Sequence, residues 1–545
     1  MTPDEPLPPA HRNRGRAAAL GLLVAIVALG AAATPAPRAG ELSGRVFVDR
    51  DGDGRPDAGE PGVAGVRVGQ GARMVLTDAS GRYALPLDAD PALPPYVVKP
   101  PGHALPTRAD GLPDFWRPAG TRRWDIALRD APQRPPYDVR VFGDPQPKSE
   151  ADVGYFERDI VADEARLRRA RVGVSLGDIV HGNLALLPAM ARATAATRTP
   201  WLHVSGNHDR DYGAATDAAS LASFRRVFGP DTFAWEEPGL AVVVLDNVIH
   251  APRPPSGEAA GPPAAANAPT PYVGGLREAQ FRFLEAYLPT VPADALLVLA
   301  VHIPLFDANA DPAVDTFRDA DRQRLFDLLE SRTNTLVLSS HTHIQQHRWH
   351  GAEAGFNGAT PLHEYNVGAA CGAFWTGVKD ARGIPDTRMA DGTPNGYATL
   401  TVQPGGGYAL RWHVAGAVDD PPFALHAPKL LRRGAWPGFG VYANVWMGDA
   451  DTRVEYRIND GAWQPMRRVE RGDPELLAIN ADDDRAKALR GFDRAPEAGD
   501  SPHLWRGALP TDLAVGEHAV EVRVFDRWRG ELTRRTSYRL VDAKP

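Results

Sequence analysis

The sequence has almost no cysteine: Cys371 is the single one among 545 residues. One thiol excludes an intrachain disulfide framework and a cysteine-rich zinc site, and it leaves the redox compartment open. The chain also lacks an excess of basic residues, because its formal net charge is -7 and its pI is about 6.2. Nucleic-acid binders usually carry a basic patch or a basic domain, so we expect no nucleic-acid partner.

The N-terminus has the pattern of an export signal. A basic segment at residues 11–16 precedes an uncharged run of Ala, Leu, Val, Ile and Gly at residues 17–33. Small residues at the end of this run suit signal peptidase, so residues 1–36 are predicted to be a cleaved signal peptide. The alternative is an N-terminal membrane anchor, because about 17 apolar residues is the lower limit for a span. Both interpretations place the rest of the chain outside the cytoplasm, in the periplasm or secreted.

The length predicts several domains, and the first is a small β module at residues 41–131. An acidic loop after its first strand has the spacing of a calcium loop, with Gly54 at the sharp turn. We expect structural calcium there; the alternative is an acidic surface turn without an ion, because the helices of an EF-hand are missing. The loop resembles calcium-binding B-type repeats of bacterial surface proteins, which are transthyretin-like or immunoglobulin-like. Its carboxylates are Asp49, Asp51, Asp53, Asp57 and Glu60.

Residues 137–416 follow a different pattern, in which apolar strands alternate with segments of helical spacing. Such alternation predicts an α/β core. Residues 251–272 are nearly all Ala, Pro and Gly at their centre and are predicted to be a surface insertion. Residues 420–545 return to alternating β runs and predict a second sandwich module, immunoglobulin-like or fibronectin-like.

Five predicted strands of the α/β core stop at side chains that can bind metal or move protons. Ligands of open α/β sheets bind beyond the carboxyl ends of the strands, so we expect these side chains to meet in one crevice. Carboxylate, amide and imidazole donors together suit Mn, Fe or Zn, and they are too many for one tetrahedral zinc. The set fits two ions about 3.5–4 Å apart. Its members are Asp144, Gln146, Asp178, Asn207, His208, His302, His341 and His343.

The chain resembles the calcineurin-like metallophosphoesterase family in the ordered motifs Asp144-Pro145-Gln146, Gly177-Asp178, Gly206-Asn207-His208-Asp209, His302 and His341-Thr342-His343. The resemblance covers roughly residues 138–416. Segments 365–368 and 383–397 resemble a bacterial subgroup whose catalytic domain lies between two β modules. The resemblance implies a four-layer αββα sandwich flanked by two small all-β domains. It also implies hydrolysis of phosphate mono- or diesters.

The family resemblance further implies a role for each motif residue. A hydroxide held between two ions would attack phosphorus in line. His208 would hydrogen-bond a phosphoryl oxygen or protonate the leaving alkoxide, and Asp209 would orient its ring. The first ion would bind Asp144, Gln146 and His343, and the second Asn207, His302 and His341, with Asp178 bridging both.

Two positions depart from the family's pattern. Gln146 stands where His is usual, and Ser340 stands where Gly usually precedes the final His-x-His. An amide oxygen is a harder and weaker donor than imidazole, which favours Mn or Mg at the first site, and manganese is the expected metal. Substrate contacts are expected from His181, Asn183, Asp386 and Asp391.

The leading hypothesis is an exported dinuclear metal-dependent phosphoesterase that acts on a small-molecule, glycan or lipid phosphate ester. The alternative is a degenerate phosphoesterase core that binds glycans or phosphate at the surface or in the periplasm. Gln146 and the two β modules favour this alternative. A membrane would be a partner only if the N-terminal segment stays uncleaved.

Overall fold

The apolar runs that end in candidate ligands are all strands in the computed structural model. The structure describes residues 40–542, apart from 88, 89, 91, 251–270, 309–314, 418, 437 and 492. The predicted signal peptide and most of the predicted insertion therefore lie outside the described residues. Residues 37–545 belong to one compact unit.

The N-terminal region consists of two small sheets, as its alternating sequence predicts. Its strands are β1 (Glu41–Val48), β2 (Arg67–Gln70), β3 (Arg73–Leu76), β4 (Arg82–Pro86), β5 (Tyr96–Val97), β6 (His103–Ala104) and β7 (Ile126–Asp130). The strand orders are β4-β1-β7-β6 and β3-β2-β5. The acidic loop connects β1 to β2, so the predicted calcium ligands lie at one end of the first sheet.

The central region alternates strands with helices and confirms the predicted α/β pattern. Its strands are β8 (Tyr137–Phe142), β9 (Val172–Ser175), β10 (Trp201–His203), β11 (Thr232–Glu237), β12 (Leu240–Leu245), β13 (Val248–His250), β14 (Tyr272–Gly274), β15 (Leu296–Ala300), β16 (Thr335–Ser339), β17 (Gln346–His350), β18 (Leu362–Asn366), β19 (Gly396–Val402) and β20 (Tyr408–Val414). Its α-helices are α1 (Glu150–Phe156), α2 (Ala162–Glu164), α3 (Leu187–Ala195), α4 (Ala222–Phe228), α5 (Glu278–Tyr287) and α6 (Asp319–Leu329).

Short irregular helices complete the central region. A π-helical turn (Glu157–Val161) joins α1 to α2, and 3₁₀ turns occur at Leu184–Leu186, Ala218–Leu221, Leu288–Thr290, Ala352–Ala354 and Pro404–Gly406. The last residue of the predicted insertion, Tyr272, belongs to β14, which pairs antiparallel with β13. In the part of the chain that the structure describes, no helix is both long and apolar enough to cross a membrane.

Two sheets of the central region carry the candidate ligands. The first has the order β10-β9-β8-β19-β20, and the second has the order β11-β12-β15-β16-β18-β17. Strands β8 to β10 are parallel, and so are β12, β15, β16 and β18. Strands β12, β15 and β16 are buried along their whole length, which is typical of parallel strands covered on both faces. The two sheets share one continuous buried core.

The C-terminal region forms two further sheets but is not purely β. Its elements are β21 (Ala424–His426), β22 (Leu430–Arg432), β23 (Gly440–Asn444), β24 (Val454–Ile458), β25 (Gln464–Pro465), β26 (Arg467–Arg468), α7 (Pro474–Arg485), β27 (Leu504–Ala508), β28 (Gly516–Asp526) and β29 (Gly530–Val541). The strand orders are β21-β23-β27-β26 and β22-β29-β28-β24-β25. Helix α7 corrects the expectation of an all-β module. The signals for this helix are Asp473 and Pro474, because the Asp473 side chain accepts hydrogen bonds from the first helical amides.

Trp201 packs closely against the neighbouring strand of the first sheet. The Trp201 indole donates a hydrogen bond of 2.8 Å to Ser175 Oγ and packs against Phe142, with 4.3 Å between ring centroids. Gly173 leaves the space for this ring, because a Cβ there would lie 2.2 Å from it.

We expect Gly173→Ala to lower the free energy of unfolding by about 1–3 kcal/mol through overpacking against Trp201. Gly154→Ala is the matched control, because Gly154 lies in α1 with nothing within 4 Å of an added Cβ. That variant should be neutral or more stable by up to about 1 kcal/mol. Urea unfolding of both variants checks the pair; equal stabilities would contradict the packing described.

Candidate metal centre

The candidate ligands occupy the loops just beyond the carboxyl ends of five parallel strands. Loops after β8, β9 and β10 in the first sheet carry Asp144, Gln146, Asp178 and Asn207, and loops after β15 and β16 in the second sheet carry His302, His341 and His343. The structure thus brings the predicted donors together from two sheets, at strand ends where such sheets bind ligands.

Asp178, His302 and His341 form the tightest group. One ligand atom from each lies within 4.8 Å of the others, which is close enough for a shared metal ion. His302 Nε2 lies 3.4 Å from Asp178 Oδ1 and 3.1 Å from His341 Nδ1. Asn207 Oδ1 lies 3.0 Å from the same Nε2 and adds an amide oxygen to the group.

Two of the imidazoles are oriented by backbone carbonyls. His302 Nδ1 lies 2.8 Å from the carbonyl oxygen of Leu176, and His343 Nδ1 lies 2.6 Å from that of Gly372. A hydrogen on Nδ1 satisfies each contact and leaves Nε2 with its lone pair toward the cluster. Metal-binding histidines generally use this arrangement to fix tautomer and ring orientation.

Asp144 supplies an observation that favours a bound cation. Its Oδ2 accepts hydrogen bonds from the Ser340 hydroxyl and, at 3.0 Å, from the backbone amide of His341. Its Oδ1 is buried without a hydrogen-bond partner and lies 3.7 Å from His343 Nε2. A buried carboxylate oxygen without a partner is costly, and a metal ion would satisfy it. The residues present therefore fit a divalent ion.

Gln146 faces the same group through its amide nitrogen. Gln146 Nε2 donates a hydrogen bond of 3.0 Å to Asp178 Oδ2, and its Oε1 lies 3.9 Å from Cys371 Sγ. A ligand role requires the amide to present its oxygen to the ion. The side chain is buried beside the carboxylate, and in this structure its amide oxygen faces Cys371.

Burial controls protonation in the cluster. It raises the pKa of Asp178 to about 6. Burial, together with His302, lowers the pKa of His341 well below its ordinary value, so this ring presents the neutral form that metals bind. Burial lowers the pKa of His302 too, but the Asp178 and Asp144 carboxylates outweigh it and raise the pKa overall. These pKa shifts arise because the carboxylates and imidazoles of the cluster are buried and lie close to one another.

The backbone at the predicted ligands is strained. Asp144, Gln146, Asp178, His341 and His343 have φ of 30°, 42°, 46°, 72° and 51°, in the left-handed region that residues with a Cβ avoid. Such residues cost of order 1–3 kcal/mol each and cluster at functional sites. The strain coincides with the candidate ligands, which favours a functional site.

One protein-family model matches the C-terminal part of the chain. Residues 364–531 match the family model described as the C terminal of calcineurin-like phosphoesterase. This match confirms the resemblance to the calcineurin-like phosphoesterases. The matched segment begins beyond His343, so the assignment of ligands rests on the motifs and on geometry.

Solved structures give more distant likenesses. The structure of PhoD is 13% identical, with a TM-score of 0.34, covering 69% of this chain and 88% of that chain. A purple acid phosphatase, PPD1, isolated from yellow lupin (Lupinus luteus) seeds is 12% identical, with a TM-score of 0.30, covering 88% of this chain and 70% of that chain. Both are too distant to assign a fold or a function. Comparison with curated proteins finds no match.

His208 lies at the edge of the ligand cluster, and its surroundings differ from the expectation. Its Nε2 is 4.0 Å from Asp178 Oδ2, and its Nδ1 is 3.3 Å from the Tyr212 hydroxyl. Asp209 does not orient the ring: its carboxylate accepts hydrogen bonds from the backbone amides of Ile179, Val180 and Gly206. The predicted role of Asp209 is wrong, because these amides occupy both of its oxygens. Asp209 instead fixes the loops that carry Asp178 and Asn207.

The four predicted substrate contacts separate into two groups. His181 stacks on His208, with 4.4 Å between ring centroids, and its buried Nδ1 has no hydrogen-bond partner among the described residues. Asn183 is exposed nearby. Asp386 is 59% exposed, lines a different cavity and lies 3.9 Å from Arg388. Asp391 is buried, and its oxygens accept hydrogen bonds within the protein. Burial contradicts the predicted substrate contact of Asp391, and the prediction for Asp386 stays a prediction.

The predicted calcium ligands form a second acidic group in the N-terminal region. Carboxylate oxygens of Asp49, Asp51 and Asp53 lie within 4.8 Å of one another. Glu60 is buried, and its oxygens accept hydrogen bonds from the backbone amides of Arg50 and Asp57. Asp57 itself is exposed. The loop is folded around its carboxylates, and calcium stays a prediction.

Sequence reasoning missed Asn247. Its Oδ1 accepts hydrogen bonds from the amides of His302 and Ile303, and its Nδ2 donates to the Ile303 carbonyl. This amide therefore holds the backbone of a candidate ligand. A signal was present, because Asn247 follows the apolar strand β12 just as the ligands follow their own strands.

Gly206→Ala tests the geometry of the site. An added Cβ would lie 2.1 Å from Asp178 Oδ1 and 2.2 Å from the Asp178 amide nitrogen. We expect the variant to bind divalent metal at least about tenfold more weakly, because Asp178 must move. Manganese titration of chelator-stripped protein measures the change, with Gly154→Ala as the control that should match wild type. Unchanged affinity in Gly206→Ala would contradict Asp178 as a ligand.

Proposed function

We propose that the protein is a metal-dependent phosphoesterase that hydrolyses phosphate mono- or diesters at a centre for two divalent ions. The observation that carries this proposal is the buried, unpaired Asp144 Oδ1 facing His343 within a cluster of oxygen and imidazole donors. The family match and the ordered motifs support it. We interpret the two ligand-bearing sheets with their helices as the four-layer αββα sandwich of this family.

The donor set divides naturally between two ions. Bound ions would polarise a phosphoryl oxygen and lower the pKa of water, which supplies a nucleophile near neutral pH. The amide of Gln146 in place of an imidazole favours a hard ion such as Mn at the first site. The first ion would be held by Asp144, Gln146 and His343 and the second by Asn207, His302 and His341, and Asp178 would be a ligand of both.

We assign His208 a contact with the substrate. Its side chain is 22% exposed at the edge of the cluster, whereas Asp178 is only 3% exposed. Burial lowers the pKa of His208 to about 4, so its ring is neutral at neutral pH. A neutral ring donates a hydrogen bond through one N–H, which favours binding of a phosphoryl oxygen over protonation of the leaving alkoxide. The Tyr212 hydroxyl beside Nδ1 fixes the ring.

A cavity of about 650 Å³ beside His341 has room for the organic part of an ester. Its volume lies in the usual range of small-molecule sites. Tyr272, Phe306 and Arg348 line it from the central region, and Asp500 and Pro502 line it from the C-terminal region. A small-molecule, glycan or lipid phosphate ester is therefore the substrate class we propose.

Three further features of the function are proposals from the sequence. The signal-like residues 1–36 support export to the periplasm or secretion. The net charge of -7 supports a substrate other than nucleic acid. The spacing of the acidic loop supports a structural calcium ion in the N-terminal region.

The hydrolase is tested with p-nitrophenyl phosphate and its bis-ester in the presence of Mn²⁺. Wild-type protein should hydrolyse at least one of them, and Asp178→Asn should remove the activity because the bridging charge is lost. His208→Ala should lower kcat about 100-fold or more while the metal content stays at the wild-type level. Wild-type turnover by Asp178→Asn would overturn the proposal.

The alternative function is a degenerate core that binds glycans or phosphate without turnover. The hydrogen bond from the Gln146 amide nitrogen to Asp178 favours it, because the amide oxygen points away from the cluster. Metal analysis of carefully purified protein separates the two functions. Near-zero transition metal and no hydrolysis would support the binding protein, and about two ions per chain would support the enzyme.

The calcium proposal predicts a specific effect on thermal stability. Ca²⁺ should raise the Tm of the metal-stripped protein, because five carboxylates crowd one loop and a cation offsets their repulsion. Asp49→Asn combined with Asp53→Asn should remove this shift and leave the response to Mn²⁺ intact. A calcium-induced shift of wild-type size in the double variant would locate the ion elsewhere.

A further inference from the structure

The segment that carries His341 and His343 is tied to a buried polar chain that begins in the C-terminal region. Gln345 follows His343 by two residues and is completely buried. Its backbone amide donates a hydrogen bond of 2.9 Å to Asp391 Oδ2, and its side-chain Oε1 accepts one of 2.7 Å from the Gly368 amide. The ligand segment is therefore fixed at its far end by a buried carboxylate.

That carboxylate is held in turn by His503. His503 Nε2 lies 3.0 Å from Asp391 Oδ2, and both side chains are at most 1% exposed. Among the described residues, the second oxygen of Asp391 accepts a hydrogen bond of 2.8 Å from the Thr393 amide. His503 supplies Asp391 with a hydrogen-bond partner from the C-terminal region, and a buried carboxylate needs such partners because its charge is held out of water.

The other ring nitrogen of His503 faces Asn444. The Asn444 amide nitrogen donates to the Asp391 carbonyl at 2.9 Å and to Asp473 Oδ2 at 3.0 Å, which fixes the orientation of the amide. Asn444 Oδ1 therefore faces His503 Nδ1 at 2.6 Å as an acceptor. Both ring nitrogens of His503 therefore lie within hydrogen-bond distance of an acceptor, so the ring links Asn444 to Asp391.

We infer that His503 is a positioning residue of the metal centre, acting through Asp391 and Gln345 on the segment that carries His341 and His343. This inference rests on the proposed metal site. It assigns the C-terminal region a part in building that site, in addition to lining the neighbouring cavity with Asp500 and Pro502. Mutation of a residue that holds a metal ligand in its orientation typically lowers metal affinity or activity 10- to 100-fold.

The test measures Mn²⁺ affinity of chelator-stripped full-length protein by competition with a chelating dye. We expect His503→Ala to weaken binding about tenfold or more. His503→Gln should recover part of the loss, because its amide can still donate one hydrogen bond to Asp391. His518→Ala is the matched control: His518 is also buried in the C-terminal region, and its hydrogen bonds within the described residues are to Ala514 and Asn459. It should stay within about twofold of wild type.

A second readout separates positioning from general destabilisation. At saturating Mn²⁺, His503→Ala should lower kcat and leave KM within about twofold, because the ligand geometry changes and the substrate cavity does not. Urea unfolding compares its stability loss with that of His518→Ala. If His503→Ala does not fold, the Mn²⁺ affinity of His503→Gln tests the inference instead. We expect this variant to bind Mn²⁺ at least about threefold more weakly than wild type.

The inference is overturned if the variants of His503 bind Mn²⁺ within twofold of wild type. It is also overturned if His518→Ala weakens binding as much as His503→Ala, because the effect would then be general loosening. Failure of the proposed function looks different: wild-type protein itself would bind no transition metal.

Discussion

The structure depends on two buried carboxylates, Asp144 and Asp178, that meet imidazoles from the opposite sheet. Asp144 follows β8 of the first sheet but accepts hydrogen bonds from Ser340 and His341, which follow β16 of the second sheet. Asp178 of the first sheet likewise lies 3.4 Å from His302 of the second. These contacts join the carboxyl ends of the two sheets. They also gather negative charge out of water, which a cation at the same place would offset.

The contacts between the two sheets also explain the strained backbone conformations at the site. Five candidate ligands have left-handed φ angles, and only surroundings that determine the backbone on both sides can maintain them. Of the strands before these loops, β9 and β16 are buried along their whole length and β8 is buried except at Asp138, which supplies that rigidity. Gly206 has no Cβ, and this allows the loop after β10 to lie in contact with Asp178. The fold thus stabilises a site that is locally strained.

The sequence predicted the parts of the site that follow from strand patterns. Apolar runs ending in ligand-type side chains located the sheets and brought Asp144, Asp178 and His302 to one edge. The same patterns could not tell a metal-facing carboxylate from one that accepts backbone hydrogen bonds. Asp209 and Asp391 are of the second kind, and their partners come from segments far away in the chain or from the loops of other strands.

The C-terminal region is hydrogen-bonded to the central region, although the sequence predicts them to be separate domains. The pattern of alternating β runs separates residues 420–545 from the central region, yet His503 and Asn444 form hydrogen bonds of 3.0 Å or less with Asp391. A buried polar network stabilises only when every member has its partner, so removing either side would leave charges unsatisfied. The central region therefore requires the C-terminal region to keep its ligand segment in place. Distant polar pairings of this kind have no local signature, because each residue is ordinary within its own strand or loop.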